Sequence, residues 1–252
     1  MSLQRARAIV FDLDGTLYQE GAPINGAVDT VRTFRDEGYP LRFLTNTTSK
    51  SRADVHEKLR GFGFPVEIEE IQSPPVAAGA FLRERDASAH LLVQEAALPD
   101  FEDVSRSDDA PDYVVIGDLG AGWTFERLNR AFRLLHGGAR LIGLGRTRFW
   151  QAEGGLQLDA GPFITALEYA TGEEALVLGK PDPAFFEAIL EDLGLPAEEV
   201  ALAGDDVETD VGAAMKAGLI GVQVCTGKFR DGDLERSDAA PDRVVDSVAD
   251  LI

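Results

Sequence analysis

The chain has 252 residues, 44% of them hydrophobic, which is enough for one large domain or two smaller ones. Its formal charge of −20 disfavours nucleic acids and anionic membranes as partners, and no apolar run approaches the ~20 residues of a membrane span. With one cysteine, Cys225, and three scattered histidines, it has neither a disulfide framework nor a zinc cluster. These features predict a soluble, cytoplasmic protein.

The charged residues are predominantly acidic, and only five of the 24 basic residues are lysines. Such an acid-rich, lysine-poor surface resembles that of proteins from salt-accumulating halophiles, in which salt screens the repulsion between surface charges. We therefore hypothesise a halophile-like surface, which predicts a lower melting temperature in dilute buffer than in molar salt. A fold that melts no earlier in dilute buffer would contradict the hypothesis.

The first part of the chain alternates strands and helices. The apolar run at residues 8–11 predicts a strand buried on both faces of a parallel sheet. A helical pattern over residues 27–37, a strand at 41–44 and a helix after Ser51 follow it. This β-α-β-α order predicts a doubly wound, Rossmann-like parallel sheet in the α/β class.

This alternation of strands and helices is interrupted around Ser73 and resumes from Ala175. Strands are predicted there near 177–178, 200–203, 220–224 and 244–245. The residues between carry an α/β pattern of their own. We therefore predict a discontinuous core of residues 1–75 and 176–252, interrupted by an inserted domain of residues 76–175. The alternative, one continuous sheet, would need about nine strands in a row, which is unusual.

Polar side chains follow four predicted strands of the core. They lie in the segments Asp12-Leu13-Asp14-Gly15-Thr16-Leu17, Thr45-Asn46-Thr47, Gly179-Lys180-Pro181 and Gly204-Asp205-Asp206 with Asp210. Ligands of open parallel sheets bind at the carboxyl ends of the strands. Carboxylates buried there are costly unless they meet a cation or a proton, so this edge is predicted to hold a polar site.

Each segment also has a plainer explanation. Paired aspartates can form a solvated turn, Thr45 and Asn46 can be turn residues, and Lys180 can be a solvated lysine before a helix. Acidic clusters in so acidic a chain are often ordinary surface. The combination of all four segments, each following an apolar strand, favours a functional site.

The motifs D-x-D-G-T-L, T-N-T, G-K-P and G-D-D-x-x-x-D, in this order, resemble those of the haloacid dehalogenase-like hydrolases, over the whole chain. An insert between the threonine and lysine motifs resembles the C2-capped, NagD-like subclass. The stretches F-L-T-N-T-T, A-L-P-D-F, G-P-F-I-T-A-L-E-Y-A-T and T-G-K-F look like the subfamily of haloacid dehalogenase-like hydrolase domain-containing proteins and their lysine/histidine-phosphate phosphatase relatives.

This resemblance implies a Mg²⁺-dependent phosphatase that hydrolyses a small-molecule phosphomonoester. Asp12 would attack phosphorus and form an aspartyl-phosphate. Asp14 would protonate the leaving oxygen and then deprotonate the hydrolytic water, which requires a carboxyl group able to hold a proton. Some members of the subfamily lack the second aspartate, and its presence here favours an active enzyme.

The resemblance also assigns the remaining polar residues. Thr45, Asn46 and Lys180 would bind the phosphate, with Lys180 neutralising negative charge during transfer. Mg²⁺ would be bound by Asp12, the backbone carbonyl of Asp14, and Asp205. Asp206 and Asp210 would orient its water ligands from behind.

By the same resemblance, the inserted domain is a C2-type cap that excludes water and selects the substrate. Arg146 and Arg148, which follow a cap strand, are candidates for anion binding. Caps of this type often contribute to dimers, so a homodimer through the cap is an expectation to test. No chemical role is predicted for Thr226-Gly227-Lys228-Phe229.

Other functions on this scaffold stay open. A phosphotransferase or phosphomutase would use the same residues, whereas phosphonatase chemistry needs a cap lysine, and residues 76–174 contain none. A dehalogenase would need neither Mg²⁺ nor Asp14. A binding or regulatory protein that recognises phosphate without catalysis is the alternative from a different class.

Overall fold

The computed structural model of the protein describes residues 2–152 and 154–252. The chain divides into two compact units. The larger unit comprises Met1–Thr45, Ala53–Gln72 and Lys180–Ile252, and the smaller unit comprises Asn46–Arg52 and Ser73–Gly179.

The described residues form strands, α-helices and several short helical turns. The strands are β1 Ala8–Asp12, β2 Tyr18–Gln19, β3 Ala22–Pro23, β4 Leu41–Leu44, β5 Ile71–Gln72, β6 Ala89–Leu92, β7 Tyr113–Ile116, β8 Arg140–Gly143, β9 Phe149–Ala152, β10 Gly155–Leu158, β11 Leu176–Val177, β12 Val200–Gly204, β13 Ile220–Val224 and β14 Arg243–Val245. The α-helices are α1 Ala27–Asp36, α2 Arg52–Gly61, α3 Pro74–Glu84, α4 Phe125–His136, α5 Ala160–Thr171, α6 Pro183–Leu193, α7 Ala213–Lys216 and α8 Asp233–Arg236. Within the described part of the chain, no helix is long and apolar enough to cross a lipid bilayer.

The larger unit contains a six-stranded parallel sheet in the order β14-β13-β12-β1-β4-β5. All five residues of β1 are buried, as expected for a central strand covered on both faces. Phe11 on β1 pairs with Phe43 on β4, and their rings stack with centroids 5.9 Å apart. The doubly wound α/β prediction is confirmed.

The smaller unit contains a four-stranded parallel sheet in the order β11-β8-β7-β6 and an antiparallel hairpin formed by β9 and β10. Helices α4 and α5 pack against the sheet through a cluster that includes Ile116, Leu135 and Ile164. The hairpin was not predicted, because β9 shows no alternation of apolar and polar residues, and Leu156 and Leu158 of β10 are exposed.

The boundaries between the units differ from the prediction in three places. Residues 73–75, predicted at the end of the first core segment, already belong to the smaller unit. Leu176 and Val177, expected in the core sheet, instead pair with Ile142 and Gly143 of β8, so that this unit extends to Gly179. Such a two-residue strand has too little sequence pattern to identify its partner.

The segment Asn46–Arg52, predicted to lie in the core, also belongs to the smaller unit. Its contacts explain the difference: the Asp118 backbone N–H donates to Thr48 Oγ1 at 3.1 Å, and the Arg52 N–H donates to the Asp100 carboxylate. The roles of the two units as catalytic core and cap stay a prediction.

Candidate active site

Four charged side chains meet at the carboxyl end of the large sheet. Lys180 Nζ lies 2.5 Å from Asp12 Oδ1 and 2.6 Å from Asp210 Oδ1. Asp12, Asp205 and Asp210 each offer a carboxylate oxygen within 4.8 Å of the others. All four residues are buried, and Asp205 is only 1% exposed. The structure thus brings together three of the four polar segments predicted from sequence.

The sheet register explains this meeting. Phe11 pairs with Ala203 of the adjacent parallel strand β12, so Asp12 and the Gly204–Asp205 junction lie side by side. After β12, Asp206 begins a wide helical turn over Val207–Gly212 by accepting hydrogen bonds from the N–H groups of Glu208 and Thr209. This turn brings Asp210 back towards the strand ends.

The donor set fits a divalent cation. Ionised, the three carboxylates and the Lys180 ammonium carry a net charge of minus two, and carboxylate oxygens are the ligands that Mg²⁺ prefers. Asp205 Oδ1 is buried and has no hydrogen-bond partner among the described residues, although buried polar atoms are normally satisfied. A carboxylate oxygen that has no hydrogen-bond donor and lies beside other carboxylates is available to bind a cation.

The electrostatics of these four side chains are consistent with this fit. Burial, reinforced by Asp210, raises the pKa of Asp12 from 3.8 to about 6, although Lys180 opposes the change. Burial and Asp12 likewise raise the pKa of Asp205 to about 7. Burial disfavours the Lys180 ammonium, but Asp12 and Asp210 outweigh it, so the pKa of Lys180 is raised and the lysine stays charged.

The first motif presents its two aspartates differently. Asp12 is buried, and the Thr16 hydroxyl donates to its Oδ2 at 3.1 Å, so both carboxylate oxygens are held. The side chain of Asp14 is exposed, and Asp14 does not belong to the group of three clustered carboxylates. One carboxylate is therefore fixed in place while the other is accessible to solvent.

Thr45 and Asn46, the predicted phosphate ligands, fall in different units. Thr45 is buried directly after β4, whose Leu44 pairs with Asp12 in the sheet. Its backbone N–H donates to the Gln72 carbonyl at 3.1 Å. Asn46 belongs to the smaller unit, so its predicted phosphate contact stays a prediction.

The second acidic segment turns inward. The Asp210 carboxylate pairs directly with Lys180 and accepts from the Asp206 N–H at 3.2 Å, and the orienting of metal-bound water by Asp206 and Asp210 stays a prediction. The wide turn over Val207–Gly212 causes this inward placement. Asp206 acts as a helix cap, and its Oδ2 lies 3.8 Å from Lys228 Nζ.

The predicted anion-binding arginines of the smaller unit are exposed. Arg146 forms a two-point ion pair with Glu168, at 2.5 and 3.0 Å, which lowers the pKa of Glu168. Arg148 lies with its guanidinium 5.9 Å from the centre of the Phe149 ring. Anion binding by either arginine stays a prediction.

Two features of the site were missed at the sequence level. The fully buried Gln223 donates from its amide to the Asp205 carbonyl at 2.8 Å, and Lys228 donates its backbone N–H to Asp205 Oδ2 at 2.6 Å. A glutamine inside the apolar strand β13 was a readable signal, because such a side chain needs polar partners. The contact made by the Lys228 backbone N–H could not be predicted from residue type, because every residue except proline carries this group.

Comparison with known proteins agrees with the motifs. The family model described as "Haloacid dehalogenase-like hydrolase" matches residues 9–105, and the one described as "HAD-hydrolase-like" matches residues 177–251. Among solved structures, a 4-nitrophenylphosphatase from Thermotoga maritima superposes with a TM-score of 0.91 at 29% identity, covering 100% of this chain and 98% of that one. A p-nitrophenyl phosphatase from Archaeoglobus fulgidus gives 0.91 at 30% identity, covering 98% of both chains.

Curated relatives are more similar in sequence. Phospholysine phosphohistidine inorganic pyrophosphate phosphatase of Xenopus laevis is 39% identical over 98% of this chain and 93% of its own length. Haloacid dehalogenase-like hydrolase domain-containing protein 2 of Homo sapiens is 40% identical over 93% of this chain and 90% of its own. The chain therefore belongs to the haloacid dehalogenase-like hydrolases, and its relatives put it among the phosphatases of that family.

Proposed function

We propose that this protein is a Mg²⁺-dependent phosphatase that hydrolyses a small-molecule phosphomonoester through an aspartyl-phosphate on Asp12. The observation that carries the proposal is the buried cluster of Asp12, Asp205 and Asp210 around Lys180, with one Asp205 oxygen left without a partner. A structural ion pair would need neither three carboxylates nor an unsatisfied acceptor.

Asp12 and Asp205 would hold Mg²⁺ together with the backbone carbonyl of Asp14, and the geometry of Asp210 makes it a further candidate. When bound, the cation would neutralise the repulsion between the substrate phosphate and the attacking carboxylate. Lys180 adds a fixed positive charge at Asp12 without any proton transfer, because its raised pKa keeps it protonated.

The first chemical step makes one bond and breaks one. A carboxylate oxygen of Asp12 forms a bond to phosphorus, the bond between phosphorus and the ester oxygen breaks, and Asp14 gives its proton to the departing oxygen. The contacts of Lys180 and Thr16 with Asp12 limit its rotation and so support this attack.

The second step regenerates the enzyme. Asp14, now ionised, takes a proton from a water molecule, whose oxygen attacks phosphorus while the bond to Asp12 breaks and inorganic phosphate is released. The exposed position of Asp14 supports this role, since the residue must meet both a leaving group and water. Asp12 returns to its starting carboxylate.

Substrate binding extends the proposal beyond the buried cluster. Thr45, Asn46 and Lys180 would bind the phosphate, while Arg146 and Arg148 would contact anionic parts of the substrate from the smaller unit, acting as a cap. The relatives named for phospholysine, phosphohistidine and pyrophosphate indicate compact phosphorylated substrates, and a phosphorylated small metabolite is the class we propose for this chain. A homodimer formed through the cap belongs to the same proposal.

Hydrolysis of p-nitrophenyl phosphate with and without MgCl₂ tests the function. The wild type should turn over only with the metal, and Asp12→Asn should lose activity about a thousandfold or more, because the amide cannot form the acyl phosphate. The matched control is Asp36→Asn, since Asp36 is an exposed aspartate of the same unit. No turnover in the wild type would favour a phosphate-binding protein, and equal turnover in Asp12→Asn would refute the nucleophile.

The metal ligand assignment has its own test. Asp205→Ala should abolish the dependence of activity on Mg²⁺, because it removes the only carboxylate of the cluster that has an unpartnered oxygen among the described residues. Activity that still rises with MgCl₂ to the wild-type level would refute Asp205 as a ligand.

A further inference from the structure

The segment Thr226–Lys228, directly after strand β13 and Cys225, contacts both acidic motifs of the site. The Thr226 hydroxyl donates to the Gly15 carbonyl at 2.5 Å. The Lys228 backbone N–H donates to Asp205 Oδ2 at 2.6 Å. The Lys228 side chain, by contrast, is 71% exposed, so the residue acts on Asp205 through its main chain.

Two glycines enclose the same carboxylate oxygen. Gly15 and Gly227 have φ angles of +92° and +62°, a region that L side chains rarely adopt. A Cβ atom on either one would lie 2.1 Å from Asp205 Oδ2, far inside van der Waals contact. The oxygen therefore occupies a cradle that exists only because both residues lack a side chain.

The segment Thr226–Lys228 is itself held by a neighbouring side chain. The Arg230 guanidinium donates to the carbonyls of Gly227 and Phe229 at 2.8 and 2.7 Å. The Gln223 side-chain amide donates to the Asp205 backbone carbonyl at 2.8 Å. Main chain and side chain of Asp205 are thus fixed by separate partners.

We propose that Thr226–Lys228 is a positioning loop for Asp205. It binds Oδ2 so that Oδ1, which has no partner among the described residues, remains the oxygen available to the divalent cation. The inference rests on the proposed function, because it requires Asp205 to be a metal ligand. Partners that orient a ligand commonly change metal affinity about ten- to a hundredfold when they are altered.

The direct test is Gly227→Ala, compared with Gly194→Ala. Gly194 has the same φ angle of +62°, and no heavy atom lies within 4 Å of the Cβ it would acquire. Both variants meet the same backbone strain, but only Gly227→Ala pushes on Asp205. Titration with MgCl₂ by calorimetry should show about ten- to a hundredfold weaker binding for Gly227→Ala and wild-type affinity for Gly194→Ala.

A second pair keeps the test valid if Gly227→Ala does not fold. Thr226→Val keeps the side-chain shape and removes the hydrogen bond to the Gly15 carbonyl. The control, Thr171→Val, removes a comparable hydrogen bond in helix α5, from the Thr171 hydroxyl to the Leu167 carbonyl at 2.8 Å. Thr226→Val should bind Mg²⁺ about tenfold more weakly, with Thr171→Val unchanged. The melting temperature in EDTA reports the purely structural cost of each change.

The outcomes separate the two proposals. If the wild type binds Mg²⁺, and Gly227→Ala or a folded Thr226→Val binds it with the same affinity, the positioning loop is overturned. The proposed function is then left intact. A wild type that binds no Mg²⁺ overturns the metal-dependent function and the positioning loop with it.

Discussion

The two units treat their functional charges in opposite ways. The larger unit buries Asp12, Lys180, Asp205 and Asp210, each at most 6% exposed, and fixes them with short contacts. The smaller unit leaves its predicted anion-binding arginines at the surface, beside a hairpin in which Phe149, Trp150, Leu156 and Leu158 are also exposed. Buried charges must be partnered by the fold, whereas surface charges can change with little energetic penalty. We therefore expect substitutions of these charged residues to be costly in the larger unit and tolerated in the smaller unit.

Removal of the buried lysine should have the largest effect on stability. Lys180→Met leaves Asp12 and Asp210 without their common cation, so we expect a loss of about 3–5 kcal/mol in the free energy of unfolding without metal. Turnover of p-nitrophenyl phosphate should fall about a hundredfold or more. Urea denaturation and steady-state kinetics measure the two effects, with the exposed Lys216→Met as control. Wild-type stability in metal-free Lys180→Met would contradict the importance of this buried contact.

Acidification should weaken Mg²⁺ binding. The pKa values of Asp12 and Asp205 are raised to about 6 and about 7, mainly by burial, with Asp210 and the Lys180 and Lys228 cations acting on them in opposite directions. Protons and the metal compete for the same oxygens, so affinity should fall about tenfold or more between pH 8 and pH 6.

Stability without metal should follow the opposite trend. A carboxyl group with a raised pKa in the folded state binds more protons there than in the unfolded chain, so its contribution favours folding as the pH falls from about 7 towards 4. The rise in melting temperature caused by MgCl₂ should thus be larger at pH 8 than at pH 6. An equal rise at both values would show that these carboxylates do not hold the metal.

The smallest effect is expected in the smaller unit. Arg146→Gln breaks the ion pair with Glu168, but the Arg146 side chain is 44% exposed, so the loss in unfolding free energy should be about 1 kcal/mol or less. Urea denaturation of this variant beside Lys180→Met measures the contrast directly. A loss as large as that of Lys180→Met would remove the distinction between the two units.

Much of the larger unit could be predicted from its sequence. The apolar runs of β1, β4, β12 and β13 mark a buried parallel sheet, and the residues after them mark its functional edge. Burial makes these positions informative, because only a few residue types are tolerated where a charge leaves water. The acidic and lysine motifs accordingly predict that Asp12, Asp205 and Lys180 share one edge of the sheet, where their side chains do meet.

The remaining features depend on geometry that single residues do not encode. The inward turn of Asp210 results from the wide helical turn over Val207–Gly212, and β11 joins the smaller sheet through only two residues. Thr226–Lys228 acts largely through a backbone N–H and the absence of a side chain. The hairpin β9–β10 exposes Leu156 and Leu158, so burial provides no pattern for its prediction.

The most direct test of the catalytic proposal is detection of phosphate on Asp12. In Asp14→Asn, p-nitrophenolate can still leave without a proton, but the water that cleaves the acyl phosphate lacks its base, so the intermediate should accumulate. Acid quenching, borohydride reduction and peptide mass spectrometry should then find homoserine at position 12. Burst release of nitrophenol with Asp12 unmodified, or with the label on another residue, would contradict the proposed mechanism.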